Sequence, residues 1–435
     1  MKKKKALIKI KIQKYLEKLF PINRSLTGNG NRETLNIINE IIPIKINEIK
    51  SGTKAYDWKV PKEWNIKSAW IKDPSGNKII DFDENNLHII SYSVPINKKI
   101  SWNELKKHIH INKSKENIID YRTSYYKKDW GFSVTRSQYK KLERCEGKFH
   151  IFIDSSLKNG SLSYGELLIK GESIKEILIS TYICHPSMAN DNLSGVLCTA
   201  FLARHLSNLK KRKWSYRVIF VPETIGALAF CNKNEKIVKR IDYGLVISNV
   251  GGPGKFGYKQ SFEKSNFINT TVEQVFLENK EKYYTYPFDI SGSDERQYSS
   301  QAFNINTISI TKDKYYEFKE YHTSKDNLNF VNGSQINQSL NLYIDLIKKL
   351  EKWKIYKSKY VYGEIMLSKR NLYNTFGGGY LPNSKMAISD IILWVIFLSN
   401  GKVCTEEIAN RIKININKVN KVAKLLVEKK IIIEI

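Results

Sequence analysis

Residues 178–195 have the sequence LISTYICHPSMANDNLSG, in which an apolar run leads into a polar loop and then toward a helical pattern. The run 178–183 is typical of a buried strand, and the helix is predicted to begin near Leu193. In open α/β sheets, ligands bind in the crevice beyond the carboxyl ends of the strands. The loop that carries His185 and Asp191 follows such an end. This stretch therefore predicts a strand–loop–helix unit and the place of a functional site.

The same alternation of predicted strands and helices continues on both sides of this stretch. Apolar runs that read as strands occur at 149–153, 166–170, 176–183, 216–221, 244–250 and 306–310. Helical spacing of apolar residues occurs at 193–207, 267–279 and 335–352. Apolar strands that alternate with helices predict an α/β fold, with a mostly parallel sheet and helices on both of its faces.

The flanking regions have other patterns. Apolar spacing predicts helices at 8–20 and 32–42, and short strands separated by turns follow between 51 and 110. The last part of the chain predicts three helices and a strand, at 388–399, 405–412, 416–429 and 431–435.

These patterns predict three domains. The catalytic domain is formed by 1–50 and 111–355, with a β-rich domain inserted at 51–110. Three helices followed by a strand in that order predict a winged-helix domain at 356–435.

Composition limits the classes of function. The 435 residues carry a formal net charge of +29, but the lysines are scattered, so composition bias explains the charge better than a dedicated polyanion site. An anionic partner such as nucleic acid is left open. Five cysteines without a CxxC pair fit a reducing compartment. No run reaches the roughly 18 apolar residues of a membrane span, and Lys9 and Lys11 interrupt any signal-peptide core. We therefore predict a cytoplasmic protein with no membrane span.

Two histidines and an aspartate are candidate metal ligands. His185 and Asp191 share one loop at the sheet edge, and His322 follows the predicted strand 306–310. Zinc accepts imidazole nitrogen and carboxylate oxygen as ligands. The alternative is that His185 is an ordinary loop histidine and Asp191 the N-cap of the next helix. Because both imidazoles lie in sheet-edge loops with acidic neighbours, we favour a metal site.

Other side chains near this edge are candidates for proton transfer and substrate binding. Glu223 follows the strand 216–221 and is placed to act as a general base. Arg296 could bind a carboxylate, and the aromatic residues Tyr121 and Tyr126 could hold another part of the substrate. An ordinary strand-end glutamate and an exposed ion-pair cluster remain the simpler alternatives.

Together these blocks resemble the zinc aminopeptidase-like family, which includes bacterial aminopeptidases and glutaminyl cyclases. The resemblance covers roughly 148–350. It rests on the following residues: His185, Asp191-Asn192-Leu193-Ser194-Gly195, Glu223, Ser293-Asp294 and His322. It implies an aminopeptidase-like fold of the phosphorylase/hydrolase type, with metal at His185, Asp191 and His322, Glu223 as catalytic base, and Asp294 at the substrate.

The chain departs from the pattern of that family at three positions. Ser187, Thr224 and Asn249 stand where the family places acidic residues, two of which are metal ligands. The resemblance therefore implies one zinc ion rather than two, held by three protein ligands with a position open for water or substrate.

From end to end the chain is similar to a narrower group, the bacterial aminopeptidase-like proteins with an inserted β domain and a C-terminal winged helix. The blocks that carry this likeness are 52–64, 121–126, 130–132, 184–187 and 222–226. Such proteins are often associated with surface polysaccharide biosynthesis.

The sequence leaves more than one function open. The favoured hypothesis is a metallopeptidase or amidohydrolase that cleaves an amide bond with metal-activated water and Glu223 as general base. Its substrate would be a peptide, an amino-acid amide or an acylated (nucleotide) sugar. The alternative is an inactive binding or regulatory protein that acts through its winged helix, although a packing role for that module is favoured over nucleic-acid binding. A cyclase like the glutaminyl cyclases is a third and weaker hypothesis, and a homodimer is left open.

Overall fold

The computed structural model describes residues 2–373 and 386–435. The chain divides into two compact units, Met1–Ile344 and Asp345–Ile435. Among the described residues no helix combines the length and the apolar character that a bilayer crossing requires.

Thirteen α-helices are present in the described residues. They are α1 Lys2–Leu19, α2 Asn29–Asn39, α3 Trp102–Leu105, α4 Arg136–Glu143, α5 Gly195–Ser207, α6 Ile225–Lys233, α7 Glu235–Val238, α8 Phe267–Glu278, α9 Glu295–Tyr298, α10 Gly333–Leu350, α11 Ile388–Leu398, α12 Thr405–Arg411 and α13 Ile416–Glu428. The described strands are β1 Lys45–Lys50, β2 Lys54–Ala55, β3 Trp58–Lys59, β4 Glu63–Lys72, β5 Lys78–Asp81, β6 Ile96–Ser101, β7 Ile109–Ile111, β8 Phe132–Val134, β9 Lys148–Lys158, β10 Ser161–Ile169, β11 Glu176–Tyr182, β12 Ser215–Val221, β13 Tyr243–Val246, β14 Phe256–Lys259, β15 Tyr283–Tyr286, β16 Asn306–Thr311, β17 Ile355–Ser358, β18 Asn400–Cys404 and β19 Ile432–Glu434.

The first unit is built on an eight-stranded sheet with the strand order β1-β10-β12-β11-β13-β16-β14-β15. The four central strands, β12, β11, β13 and β16, are parallel, whereas β1, β10 and β14 run antiparallel to their inner neighbours. Every residue of β12 is buried, as are all but the first of β11. Strands buried on both faces are what a parallel sheet covered by helices requires. The predicted α/β fold with a mostly parallel sheet is confirmed.

A second, antiparallel sheet has the order β5-β4-β9-β6. Its strand β9 lies after residue 110, in the stretch predicted to belong to the catalytic domain, and pairs with β4 from Glu63 to Lys72. Apolar residues of both sheets, such as Ile71 of β4 and Ile219 of β12, belong to one buried cluster. The antiparallel sheet and the main sheet therefore share a core within the first unit.

The second unit is a winged helix, as the sequence predicts. Helices α11, α12 and α13 pack over a common apolar core that includes Ile392, Val395, Val422 and Leu426. Beside them lies an antiparallel sheet in the order β18-β17-β19. The sequence indicated the three helices and β19. It did not indicate β17 and β18, because both are short and carry lysine and other polar residues among few apolar ones.

Candidate metal centre

Adjacent parallel strands bring the candidate residues to one edge of the main sheet. His185 lies three residues beyond the end of β11, and Glu223 lies two residues beyond the end of β12. The two strands pair in parallel from Glu176 and Ser215 onward, so their carboxyl ends lie side by side. Asp191 lies in an irregular turn, Ala189–Ser194, directly before α5. The loop after β16 supplies His322.

His185, Asp191 and His322 converge. Their nitrogen and carboxylate oxygen atoms all lie within 4.8 Å of one another. His185 Nδ1 is 3.7 Å from Asp191 Oδ1, and His322 Nε2 is 2.9 Å from Asp191 Oδ2. The side chains of His185 and Asp191 are buried, whereas that of His322 is 34% exposed. Two of the three side chains are therefore buried, and solvent reaches the cluster from the side of His322.

His185 Nδ1 makes no hydrogen bond to any residue that the structure describes, and Asp191 Oδ2 and His322 Nε2, although 2.9 Å apart, do not meet in the geometry of a hydrogen bond and have no other partner among those residues. Buried polar atoms without a partner are rare in folded proteins, since each loses its hydration without compensation. Two imidazole nitrogens and one carboxylate oxygen that face one another are a donor set suited to zinc, and three protein ligands are the number usual for a catalytic site. These residues therefore fit a zinc ion.

The protonation states of two of these groups also suit metal binding. Burial lowers the pKa of His185 to about 4, against the opposing effect of Asp191, so the ring is neutral near pH 7. Burial alone would raise the pKa of Asp191, but His185 and His322 outweigh it and lower this pKa to about 2. Metal ligands must be deprotonated, and at neutral pH both groups are in that state.

Residues outside the ligand set hold the cluster in place. Tyr182 OH donates to Asp191 Oδ1 at 2.5 Å, and both oxygens of Asp326 accept main-chain N–H groups, from Asn190 at 2.5 Å and Asp191 at 2.8 Å. Arg24 is fully buried, and its Nε donates to the main-chain oxygen of His185 at 2.9 Å. The sequence did not indicate any of these three supports. For Arg24 the only available signal was an arginine in a loop rich in turn-forming residues, Asn23–Gly30.

Glu223 lies at the rim of the cluster. Its Oε2 is 3.8 Å from His185 Nε2, and its side chain is 25% exposed. Burial raises the pKa of Glu223 to about 7, with the negative charge of Asp191 acting in the same direction. A carboxylate with this pKa can both accept and release a proton near neutral pH.

Asp294 supports the turn that carries Glu223. Its Oδ1 accepts the main-chain N–H of Thr224 at 2.8 Å, and burial raises the pKa of the Asp294 carboxyl well above its usual range. Its assignment to substrate binding stays a prediction.

The three other side chains predicted to bind substrate or to surround the site lie at different places. The ring of Tyr121 meets His185 and His322 edge-on, with centroids 5.2 Å from each, and its main-chain N–H donates to the oxygen of His322. Tyr126 donates instead to the main-chain oxygen of Lys59, and Arg296 to that of Ile290. The structure thus brings Tyr121 to the metal cluster, formed by the candidate ligands His185, Asp191 and His322, and places Tyr126 and Arg296 in other contacts. Their roles at the substrate stay predictions.

Two of the positions that depart from the family pattern make hydrogen bonds to other residues, and Asn249 does so to Tyr182, the tyrosine that donates to Asp191. Ser187 donates to the main-chain oxygen of Phe20 at 2.8 Å, and Asn249 Nδ2 lies 3.4 Å from Tyr182 OH. Within the described residues, one further group of potential ligands shares His185, namely Cys184, His185 and Glu223. Burial raises the pKa of the Cys184 thiol well above its usual value, which disfavours the thiolate that a metal would need. The group formed by His185, Asp191 and His322 is therefore the better candidate.

Comparison with known proteins agrees with this architecture. The sequence profile of the family described as "Domain of unknown function (DUF4910)" matches residues 13–353, and a winged helix-turn-helix profile matches residues 354–434. A Clostridium acetobutylicum protein named "Putative polysaccharide biosynthesis protein with aminopeptidase-like domain" is 45% identical over 399 residues, covering 92% of this chain and 90% of the relative.

Solved structures show the same fold. A crystal structure of a "putative peptidase" from Clostridium acetobutylicum superimposes with a TM-score of 0.80 at 40% identity, covering 100% of this chain and 98% of that one. A zinc aminopeptidase from Bacillus subtilis superimposes with a TM-score of 0.58 at 13% identity, covering 78% of this chain and 93% of that one. This second likeness concerns the fold alone and confirms the predicted aminopeptidase-like architecture. The chain belongs to the DUF4910 family, in which it joins an aminopeptidase-like domain to a C-terminal winged helix.

Proposed function

We propose that the first unit is a zinc-dependent hydrolase that cleaves an amide bond, with one zinc ion held by His185, Asp191 and His322. The observation that carries this proposal is the set of three converging ligand atoms that have no hydrogen-bond partner among the described residues. When bound, zinc would act as a Lewis acid on the amide carbonyl and lower the pKa of a water molecule to about 7.

The protein supplies the proton transfer. Glu223 lies within 3.8 Å of the ring of His185 and keeps a quarter of its side chain exposed, so it can contact both a water molecule and a substrate. It would take a proton from the attacking water and return it to the leaving nitrogen as the amide bond breaks. The ring of Tyr121 packs edge-on against both histidines and would shield that side of the cluster from water.

The substrate classes that fit this chemistry are a peptide, an amino-acid amide and an acylated amino sugar, either free or as a nucleotide sugar. The name of the Clostridium acetobutylicum relative favours the last class, since surface polysaccharides contain acylated amino sugars. We propose a role in polysaccharide biosynthesis on that basis.

Hydrolysis of model amides tests the proposal. Zinc-loaded protein would be incubated with amino-acid amides, dipeptides and N-acetylated amino sugars, and the free amine released would be quantified. Glu223→Gln should reduce the rate by about 100-fold or more, because the amide side chain cannot accept the proton. Its zinc content should equal that of the wild type. Equal rates in wild type and Glu223→Gln would refute the assigned role of Glu223, and no release from any of the three classes would refute the hydrolase.

One observation favours the alternative of a binding protein that acts through its winged helix. Lys418, Lys421 and Lys424 are exposed at successive turns of α13, so they form one basic face. Such a face can contact nucleic-acid phosphates. Lysine is abundant throughout the chain. The basic face therefore supports the binding protein less strongly than the metal cluster supports the hydrolase.

A further inference from the structure

A cleft opens directly beside the metal cluster. Its volume is about 370 Å³, and His322 forms part of its wall. The charged residues that line it are Lys115, Asp120, Arg122 and Lys319, and Tyr321 lines it as well. Tyr321 stacks flat on His322 with ring centroids 3.9 Å apart, so the cleft adjoins the metal cluster at the side chain of His322.

The charges of this cleft do not balance. Its carboxylate, Asp120, is already engaged by two donors, Asn112 Nδ2 at 2.8 Å and Arg122 Nη2 at 3.3 Å. Lys115 Nζ donates to the main-chain oxygen of Lys319 at 2.6 Å, which holds the ammonium group in place without neutralising its charge. Three cations thus face the cleft with one carboxylate among them.

The acidic residues next to the two lysines in sequence do not line the cleft. They are Glu116 beside Lys115 and Glu320 beside Lys319, and Glu116 Oε1 lies 4.0 Å from Lys140 Nζ. A concave site lined by charge of one sign focuses the electric field and attracts ions of the opposite sign.

We propose that this cleft binds an anionic group of the substrate, a phosphate or a carboxylate, while the amide bond of the same molecule lies at the metal cluster. The inference rests on the proposed function, because it takes His322 as a metal ligand and the cleft as part of the substrate site. Lys115 and Lys319 would contact the anion, and Arg122 would strengthen the field while it holds Asp120. A substrate with an anionic group close to its amide bond is thereby selected over a neutral one.

Binding of three related sugars tests this inference on the full chain. Glucose 1-phosphate, glucuronate and glucose share a carrier and differ in carrying a phosphate, a carboxylate or no charge. Affinity would be measured by calorimetry at one fixed ionic strength, since salt screens exposed charges. Tighter binding of glucose 1-phosphate than of glucose identifies a phosphate site, and tighter binding of glucuronate identifies a carboxylate site. Equal binding of all three would overturn the inference.

Two pairs of substitutions locate the binding. Lys115→Gln with Lys319→Gln should weaken binding of the preferred anion by about tenfold or more, as the loss of two close charges implies. The matched control is Lys67→Gln with Lys98→Gln, which removes the same charge from exposed positions on β4 and β6 and should change the affinity less than about twofold. If both double variants bind the anion like the wild type, the cleft is not the site. Should the first pair fail to fold, the single change of the exposed Lys319 gives the same comparison.

A third variant separates this inference from the metal. His185→Ala removes a proposed zinc ligand and leaves the lysines unchanged. If the cleft holds the anion, this variant should bind it with nearly wild-type affinity, whether or not the wild type contains zinc. Loss of anion binding in His185→Ala, together with its retention in the lysine double variant, would show that the metal cluster holds the anion and would overturn the inference.

Discussion

One cluster of charged or titratable side chains lies at the amino-terminal end of strands β11 and β12, and another lies beyond their carboxyl ends. The two clusters differ in whether their polar atoms have hydrogen-bond partners. At the amino-terminal end, Arg217 of β12 donates to Glu176 of β11 through Nε at 2.5 Å and Nη2 at 2.8 Å, and through Nη1 to Glu166 of β10. At the carboxyl-terminal end, His185 and Asp191 lie 3.7 Å apart, and each keeps a side-chain atom without a hydrogen bond to the described residues.

This difference indicates that the first cluster has a structural role and the second a functional one. A buried guanidinium that donates in a bidentate fashion to one carboxylate and also to a second one is complete without any ligand. A buried cluster in which several nitrogen and oxygen atoms face one another and lack hydrogen-bond partners is complete only when something else binds there. The first cluster lies on these strands and their neighbour β10, and the second lies in the loops that follow β11 and β16.

The largest expected effect is at the complete cluster. Arg217→Met leaves Glu166 and Glu176 without their cation, and breaking a buried ion pair in this way costs about 3–5 kcal/mol. Urea denaturation should show this loss in the free energy of unfolding, while the zinc content of the folded protein stays that of the wild type. The matched control is Lys18→Met, which removes the half-exposed partner of Glu40 and should hardly move the denaturation midpoint. An equal, small effect of both changes would contradict the contrast between the clusters.

The second effect concerns the incomplete cluster, where the substitution is expected to act mainly on zinc affinity and less on the free energy of unfolding. Asp191→Asn keeps the size of the side chain and an oxygen for Tyr182 but removes the charge that zinc requires. Even outer partners of metal ligands are worth about 10–100-fold in metal affinity, so this change should weaken zinc binding by about 100-fold or more. The metal-free variant should also be somewhat less stable than the metal-free wild type at neutral pH, because the pKa of Asp191 is lower in the folded protein and its ionised form therefore stabilises the fold. Competition with a chelating dye measures the affinity. Unchanged zinc affinity in the variant would mean that Asp191 is not a ligand.

A smaller effect depends on pH and concerns another complete pair, Arg32 and Glu63, which are 2.6 Å apart. The hydrogen bond from Arg32 lowers the pKa of Glu63 from 4.5 to about 2. A carboxyl whose pKa is lower in the folded state stabilises the fold above its unfolded pKa, and this contribution is lost as the pH falls from about 4.5 toward 2. Glu63→Gln should therefore destabilise the protein at pH 6 and differ less from the wild type at pH 3. Urea titrations at both values check this, with Glu40→Gln as the exposed control. A constant difference between the two pH values would contradict the assigned pair.

The smallest effect is expected in the winged helix. Replacing Lys418, Lys421 and Lys424 by Gln removes exposed charges that lie outside both clusters of the first unit, so unfolding free energies should change by no more than about 0.5 kcal/mol per position. Zinc content and amide hydrolysis should be unchanged. Fluorescence anisotropy with labelled duplex DNA should show no tight binding at physiological salt. Tight, salt-dependent binding that these changes abolish would favour the alternative of a regulatory protein.

The parts of the fold that sequence could predict are those with strong local patterns. Buried strands such as β11 and β12 are rich in apolar residues, and helices such as α8 and α13 follow helical spacing closely. Their predicted bounds therefore differ little from those observed. Strand β15 was missed because its residues Tyr283–Tyr286 are mostly exposed and follow no apolar run. Strand β10 begins before its predicted start because Ser161–Gly165 resembles a turn.

In the site, too, the sequence predicts what local patterns carry and does not predict long-range contacts. The ligand candidates His185, Asp191 and His322 were identified because strand ends and loop histidines are local features, and the structure brings them together. Arg24 and Asp326, which hold their backbone, were missed because these contacts join residues more than 130 positions apart in sequence. No local pattern carries that information.

The most direct test of the account is the zinc content per chain, measured by elemental analysis of purified wild-type and His185→Ala protein kept free of chelators. The account predicts about one zinc per wild-type chain, as three protein ligands imply, and little in the variant. Two ions per chain would show that further ligands take part and would contradict the single site. No zinc in the wild type would contradict the central claim that the incomplete cluster is a metal centre.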